Sequence, residues 1–241
     1  RAVKLVRIDP GRRPDDPPRT VRAASREIDG ALPPDEVRVA TVRAIRECAA
    51  ELGAAPGAEV ALAVPRGEAV VKTVLLPPVS ADERTKLIRY QAAKDVPFEL
   101  SSVLLASGVV DETGTAAVAG QDGVSQPPVE VAYAAVRLGV VDGLRALARE
   151  AGLTPGTLEI STQAAARAVR LLAPDAPDAV LVLIGALASD IVVLRNGRIA
   201  FSRSASTGCA RDPKETGVSE ASRWLDRLVA MVGSTMVADV C

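Results

Sequence analysis

The chain has 241 residues, 48% hydrophobic and 24% charged, with 29 Lys and Arg against 30 Asp and Glu for a formal net charge of -1. Such a length and apolar fraction suit one large or two small domains and exclude disorder of the whole; the balanced charge and 2% aromatic content argue against nucleic-acid binding. With no His, imidazole catalysis and most zinc sites are excluded, and three scattered cysteines, Cys48, Cys209 and Cys241, point to a reducing compartment.

Residues 2–8 alternate in polarity and, after a Pro/Asp/Arg turn over 9–19, residues 20–28 do so again, which predicts two strands in a hairpin. The period then changes. Val42, Ile45, Ala49 and Leu52 are spaced 3, 4 and 3, with Asp35 expected to cap the first turn and Gly53 to stop the helix, whose apolar stripe should lie on the preceding strands. Residues 59–64 and 69–76 read as strands again and, around the turn Pro65-Arg66-Gly67-Glu68, as a second hairpin.

Ser80 and Glu83 have the spacing of a capping box, which opens a helix that Pro97 ends. Residues 102–110 and 129–136 read as partner strands, and the Gly-, Ala- and Ser-rich stretch 111–128 between them as a mobile loop. Val141, Leu144, Ala148 and Ala151 mark a helical stripe ending at Gly152; a short strand over 158–160 follows, and Ser161 is expected to cap a helix to about Leu172. The link 173–178 is a candidate domain boundary. Beyond it come apolar runs at 179–186 and 190–194, the dipeptide Asn196-Gly197, which suits a type I′ hairpin turn, a strand over 199–203, and a helix marked by Trp224, Leu225, Leu228 and Val232. The longest uncharged apolar run, 179–189, is shorter than the roughly 18 residues a membrane span needs, so neither a span nor a signal peptide is expected.

Single residues carry two readings each. Gly185 admits either a phosphate near the backbone or close packing at a hairpin bend. Lys72 and Lys94 read as amines reaching into water, Cys48 as a small core residue, and Asp82 and Glu83 as first-turn capping charges. Tyr90, Phe98 and Tyr133 are three of five aromatics and cluster in one stretch; they either anchor a bound peptide or fill a small core, the latter favoured for Phe98.

The segments Val60-Ala61-Leu62-Ala63-Val64-Pro65, Val70-Val71-Lys72-Thr73-Val74-Leu75-Leu76-Pro77, Lys94-Asp95-Val96-Pro97-Phe98-Glu99-Leu100, Ala148-Arg149-Glu150-Ala151-Gly152-Leu153-Thr154-Pro155 and Leu194-Arg195-Asn196-Gly197-Arg198-Ile199-Ala200-Phe201-Ser202-Arg203 stand in an order that resembles the type IV pilus assembly protein PilM family. The resemblance implies an α/β, actin-like (ASKHA) ATPase fold, here partial, with an inserted small α+β subdomain of the FtsA/PilM type. The implied organisation is 1–57 for the first part of subdomain 1A, 58–137 for the insert 1C, 138–175 for the rest of 1A, and 176–241 for the start of a truncated 2A.

Members of that family are cytoplasmic relatives of FtsA with an ATP cleft, and bind the cytoplasmic tail of the inner-membrane protein PilN. The implied partner is therefore a PilN-like tail, held between the first domain and the insert by Leu87, Tyr90, Gln91, Phe98 and Tyr133, with the chain peripheral to the membrane through that partner and self-association left open. The family's phosphate loop would fall on Gly185, Ala186 and Ser189. Leu183 stands where a carboxylate would hold magnesium, which implies an adaptor with a degenerate site, the alternative being an active ATPase or a secretion-system relative. ATP and magnesium are expected only in a longer protein, because members also carry an Asp-Ile-Gly loop just before the segment matching Val3-Lys4-Leu5-Val6 and continue past residue 241; no catalytic or metal-ligating residue is assigned.

Overall fold

The structure, a computed structural model, describes residues 2–9, 20–110, 128–173, 175–185, 188–206 and 208. In chain order the elements are β1 (Ala2–Asp9), β2 (Thr20–Glu27), α1 (Pro34–Glu51), β3 (Glu59–Val64), β4 (Ala69–Leu76), α2 (Ala81–Asp95), β5 (Val103–Val109), β6 (Val129–Arg137), α3 (Leu138–Glu150), β7 (Thr154–Ile160), α4 (Ser161–Leu172), β8 (Ala179–Ile184), β9 (Ser189–Arg195) and β10 (Arg198–Ala205). They fall into two compact units, Arg1–Gly67 with Leu147–Cys241, and Glu68–Ala146.

In the first unit β1 and β2 form the expected antiparallel hairpin, Ala2 opposite Glu27 through Asp9 opposite Thr20. Alternation turns Val3, Leu5 and Ala24 toward α1, where Cys48 and Leu52 meet them, so the helical stripe does cover these strands. Gly53 ends α1 as expected: its N–H donates to the Ala50 carbonyl, and the Ala54 N–H to that of Ala49. The start differs. Pro33 occupies the cap position without a side-chain bond, Pro34 fills the first turn, and Asp35 sits inside the helix with Glu36, where its charge meets the N-terminal dipole instead of an orphan amide.

The predicted hairpin over 59–76 does not form. β3 pairs in parallel with β7, and β4 pairs with β6 in a different sheet; a short 3-10 turn at Arg66–Glu68 carries the chain from one to the other. Alternating polarity identifies each strand, but the choice of partner rests on which apolar faces meet. Val60 and Leu62 of β3 pack with Ala49, Ala148 and Leu153, whereas Val70 and Val74 of β4 pack beneath α2. Ser161 does not cap α4 either. Ile160 holds that position, and the Ser161 hydroxyl accepts the backbone N–H of Arg66 at 3.1 Å.

Also in this unit, β8, β9 and β10 make an antiparallel sheet with β9 central, its Val192 and Leu194 packed on Ala166 of α4. The Asn196-Gly197 turn has φ of 51° and 72°, the positive pair that a type I′ turn demands. The second unit is the antiparallel sheet β4-β6-β5, one face of which is covered by α2: Ile88, Ala92 and Val96 meet Leu76, Val103, Val131, Tyr133 and Ala135. Each large side chain buried there contributes about 1.5–3 kcal/mol. The expected pairing of β5 with β6 is found. Most of the stretch 111–128, the helix at Trp224–Val232, Cys209, Cys241, Ala186 and Leu187 lie outside the described residues.

Candidate functional site

The candidate site is built on α2 and its sheet. The capping box fixes the first turn: the Ser80 hydroxyl accepts from the Glu83 N–H at 3.3 Å, and the Glu83 carboxylate accepts from the Ser80 N–H at 3.1 Å. The Ser80 hydroxyl also donates to the Glu83 carboxylate at 2.9 Å, and that bond first, then the one from the Ser80 N–H, holds the Glu83 carboxyl below its ordinary range. Val96 is already extended, and Pro97 keeps the helix from continuing.

The five residues assigned to a peptide surface divide into three environments. Tyr90 is 64% exposed, with the Lys94 ammonium 4.2 Å from its ring centre. Phe98 is 44% exposed, with the Arg137 guanidinium 5.4 Å from its ring, so it does not fill the core as the sequence favoured. Leu87 and Gln91 are half-buried on the flank of α2, Leu87 against the core.

Tyr133 is a correction. It is 1% exposed, packed under α2, and donates its hydroxyl to Asp95; a side chain so placed supports a surface and does not line one. Asp95 also holds Lys72, whose Nζ lies 2.6 Å away, so Lys72 ends in an ion pair and not simply in water. The Lys72 bond first, and then that of Tyr133, keep the Asp95 carboxyl below its ordinary value, while burial and the Asp95 carboxylate push the Tyr133 phenol up. Sequence reasoning missed this triad. Its signal lay in the sheet register, which sets Lys72 directly opposite Tyr133, and that register becomes visible once β4 and β6 are known partners.

The second region is the bend between β8 and β9. The Gly185 N–H donates to the Ala188 carbonyl at 2.9 Å, and a Cβ on Gly185 would stand 2.6 Å from that same oxygen. The close approach that requires glycine is thus made by the turn itself. Ser189 is fully buried, and Leu183 lies across from Asp190. Asp190 in turn acts on Arg66, whose guanidinium bonds the Ser202 hydroxyl at 2.9 Å and the Ser202 carbonyl at 3.0 Å; burial lowers the Arg66 pKa and Asp190 opposes that. The Gly185 amide is thus engaged within the bend, and Ala186 and Leu187, which belong to the loop the resemblance implies, lie outside the described residues.

Over residues 35–214 the sequence matches the family described as type IV pilus assembly protein PilM. No curated protein matches the chain. Among solved structures it is similar to a chain of the PilM-PilN type IV pilus biogenesis complex, at 23% identity and a TM-score of 0.68 over 86% of this chain and 59% of that one. It is also similar to the cytoplasmic domain of EpsL, an inner membrane component of the type II secretion system of Vibrio cholerae, at 10% identity and a TM-score of 0.49 over 78% and 61% of the two chains. A Bacteroides thetaiotaomicron protein of actin-like ATPase fold and unknown function is similar at 9% identity and a TM-score of 0.40 over 79% and 62%. The fold is the α/β one of the matched chain in the PilM-PilN complex, and this chain spans 59% of that chain's length.

Proposed function

Because the chain belongs to the type IV pilus assembly protein PilM family, we propose that it is a pilus-assembly adaptor that holds the short cytoplasmic tail of a PilN-like inner-membrane protein. The observation that carries this reading is the fold match over 86% of the chain to a chain of the PilM-PilN complex. Exposed Tyr90 and Phe98 are the anchors, since large aromatics dominate peptide interfaces once desolvated. Leu87 and Gln91 flank them, and the tail lies extended along α2. The Lys72–Asp95–Tyr133 triad positions this surface by tying the last turn of α2 to the sheet beneath.

In this role the chain works in the cytoplasm at the inner-membrane face and reaches the bilayer through its partner; among the described residues no helix is long and apolar enough to cross a membrane. Binding proceeds without nucleotide, a reading supported by Leu183 and by the bond that closes Gly185 onto Ala188. Calorimetric titration with the synthetic N-terminal tail of the cognate PilN-like protein is expected to show micromolar binding with no response to magnesium-ATP. No heat at high micromolar peptide would overturn the adaptor reading, and saturable ATP binding would favour an active ATPase.

A further inference from the structure

The outward side of α2 carries a charge pattern that tail binding does not use. Ile88 and Ala92 point to the core, so the opposite side of the helix comprises Asp82, Glu83, Lys86, Arg89, Ala93 and Lys94, all exposed and recurring at helical spacing, with the tail anchor Tyr90 beside them. Lys86, Arg89 and Lys94 hold no carboxylate among the described residues, whereas Arg26, Arg38, Lys72, Arg137 and Arg167 each do. Asp82 and Glu83 flank Lys86 in the first turn, where the helix dipole and the capping box account for them; Arg89 and Lys94 lie beyond their reach. With a net charge of -1 for the whole chain, this is a local cationic surface and not a general basic field.

We propose that this face of α2 rests on anionic phospholipid headgroups. The three cations spread along roughly 12 Å of a convex helix at 1.5 Å per residue, which suits a plane of charge better than a single acidic peptide, for which a cleft with forked donors would be the fitting form. Each cation near an anionic leaflet adds on the order of 1 kcal/mol, so binding by this face alone is weak. On the adaptor reading a membrane-anchored tail supplies the proximity that lets a weak surface contact set orientation.

The test is co-sedimentation of the full chain with vesicles of phosphatidylglycerol and phosphatidylethanolamine at about 0.01 M salt, where screening extends to about 30 Å. Binding is expected to such vesicles, to vanish on phosphatidylcholine alone, and to fall roughly a hundredfold in Lys86→Gln/Arg89→Gln/Lys94→Gln, since glutamine keeps the helix while removing three charges. Arg89→Glu alone serves as a second variant, expected to weaken binding with an unchanged circular dichroism spectrum. Equal binding by native and neutralised chains, or tighter binding to polyglutamate than to vesicles, overturns the proposal. Titration of the free tail peptide with Lys86→Gln/Arg89→Gln, which leaves the Lys94–Tyr90 contact intact, keeps the two roles apart, because the lipid proposal predicts tail affinity unchanged in that variant.

Discussion

Lys72 on β4 and Asp95 at the last residue of α2 are joined by a 2.6 Å ion pair, and Tyr133, opposite Lys72 in the sheet register, donates its hydroxyl to the same carboxylate. A carboxylate at a helix C-terminus is disfavoured by the dipole. Here one cation and one buried hydroxyl offset that cost and fasten helix to sheet.

Asp95→Ala leaves the Tyr133 hydroxyl buried without its acceptor, which costs about 1–3 kcal/mol. The expected result is a fall of about 2–4 °C in melting temperature per kcal/mol lost. Adding Tyr133→Phe to that variant recovers part of the loss, because the orphaned hydroxyl is removed, and a double-mutant cycle by urea denaturation reads the coupling.

The same pair sets two pH limits. Asp95 titrates lower in the folded protein, so its contribution is fully present above the ordinary carboxylate value near about 4 and is lost as the pH falls through the depressed folded value. Tyr133 titrates higher when folded. The unfolded chain ionises first, and stability declines as the pH rises beyond about 10. Urea midpoints across pH are expected to show both limbs in the native chain and a weakened acid limb in Asp95→Ala.

Cys48 is fully buried against Leu52 and Ala24, and burial first of all raises its thiol pKa, opposed by Arg26. Iodoacetamide is expected to leave it unmodified in the folded protein and to alkylate it on unfolding in urea, as peptide mapping would show.

Ile88 and Tyr90 are two residues apart on α2, one in the core and one in solvent. Ile88→Ala is expected to cost about 2–5 kcal/mol by leaving a cavity, whereas Tyr90→Ala stays within about 0.5 kcal/mol in stability. The tail titration should reverse the ranking: Tyr90→Ala weakens it about tenfold or more if the ring is an anchor.

Gly185→Ala places a methyl 2.6 Å from the Ala188 carbonyl oxygen, which is backbone and cannot swing aside. The bend must open, at about 1–3 kcal/mol. A melting curve indistinguishable from the native one would show that the turn does not need the missing Cβ.

Local chemistry was legible before any coordinates. The β1–β2 hairpin, the Gly53 stop, the Ser80–Glu83 box, the pairing of β5 with β6 and the Asn196-Gly197 turn each depend on neighbours in sequence or on an adjacent strand of matching alternation. Helix starts were read less well, because Asp35 and Ser161 look equally like caps or first-turn residues until backbone dihedrals are known. The surface on α2 was half visible: Tyr90 and Phe98 are exposed, but Tyr133, of the same chemical class, is buried. Aromatic identity says nothing of which face a strand turns inward.

By itself, then, the sequence determined the type and approximate limits of most elements and the family resemblance, since φ/ψ preference and polarity period are properties of short stretches. Only the tertiary structure decided that β3 leaves its neighbour for β7, that β4 joins β6, and that Lys72, Asp95 and Tyr133 meet. Those outcomes come from the burial of apolar faces by segments distant along the chain, and their energy belongs to the pair of surfaces and not to either stretch alone.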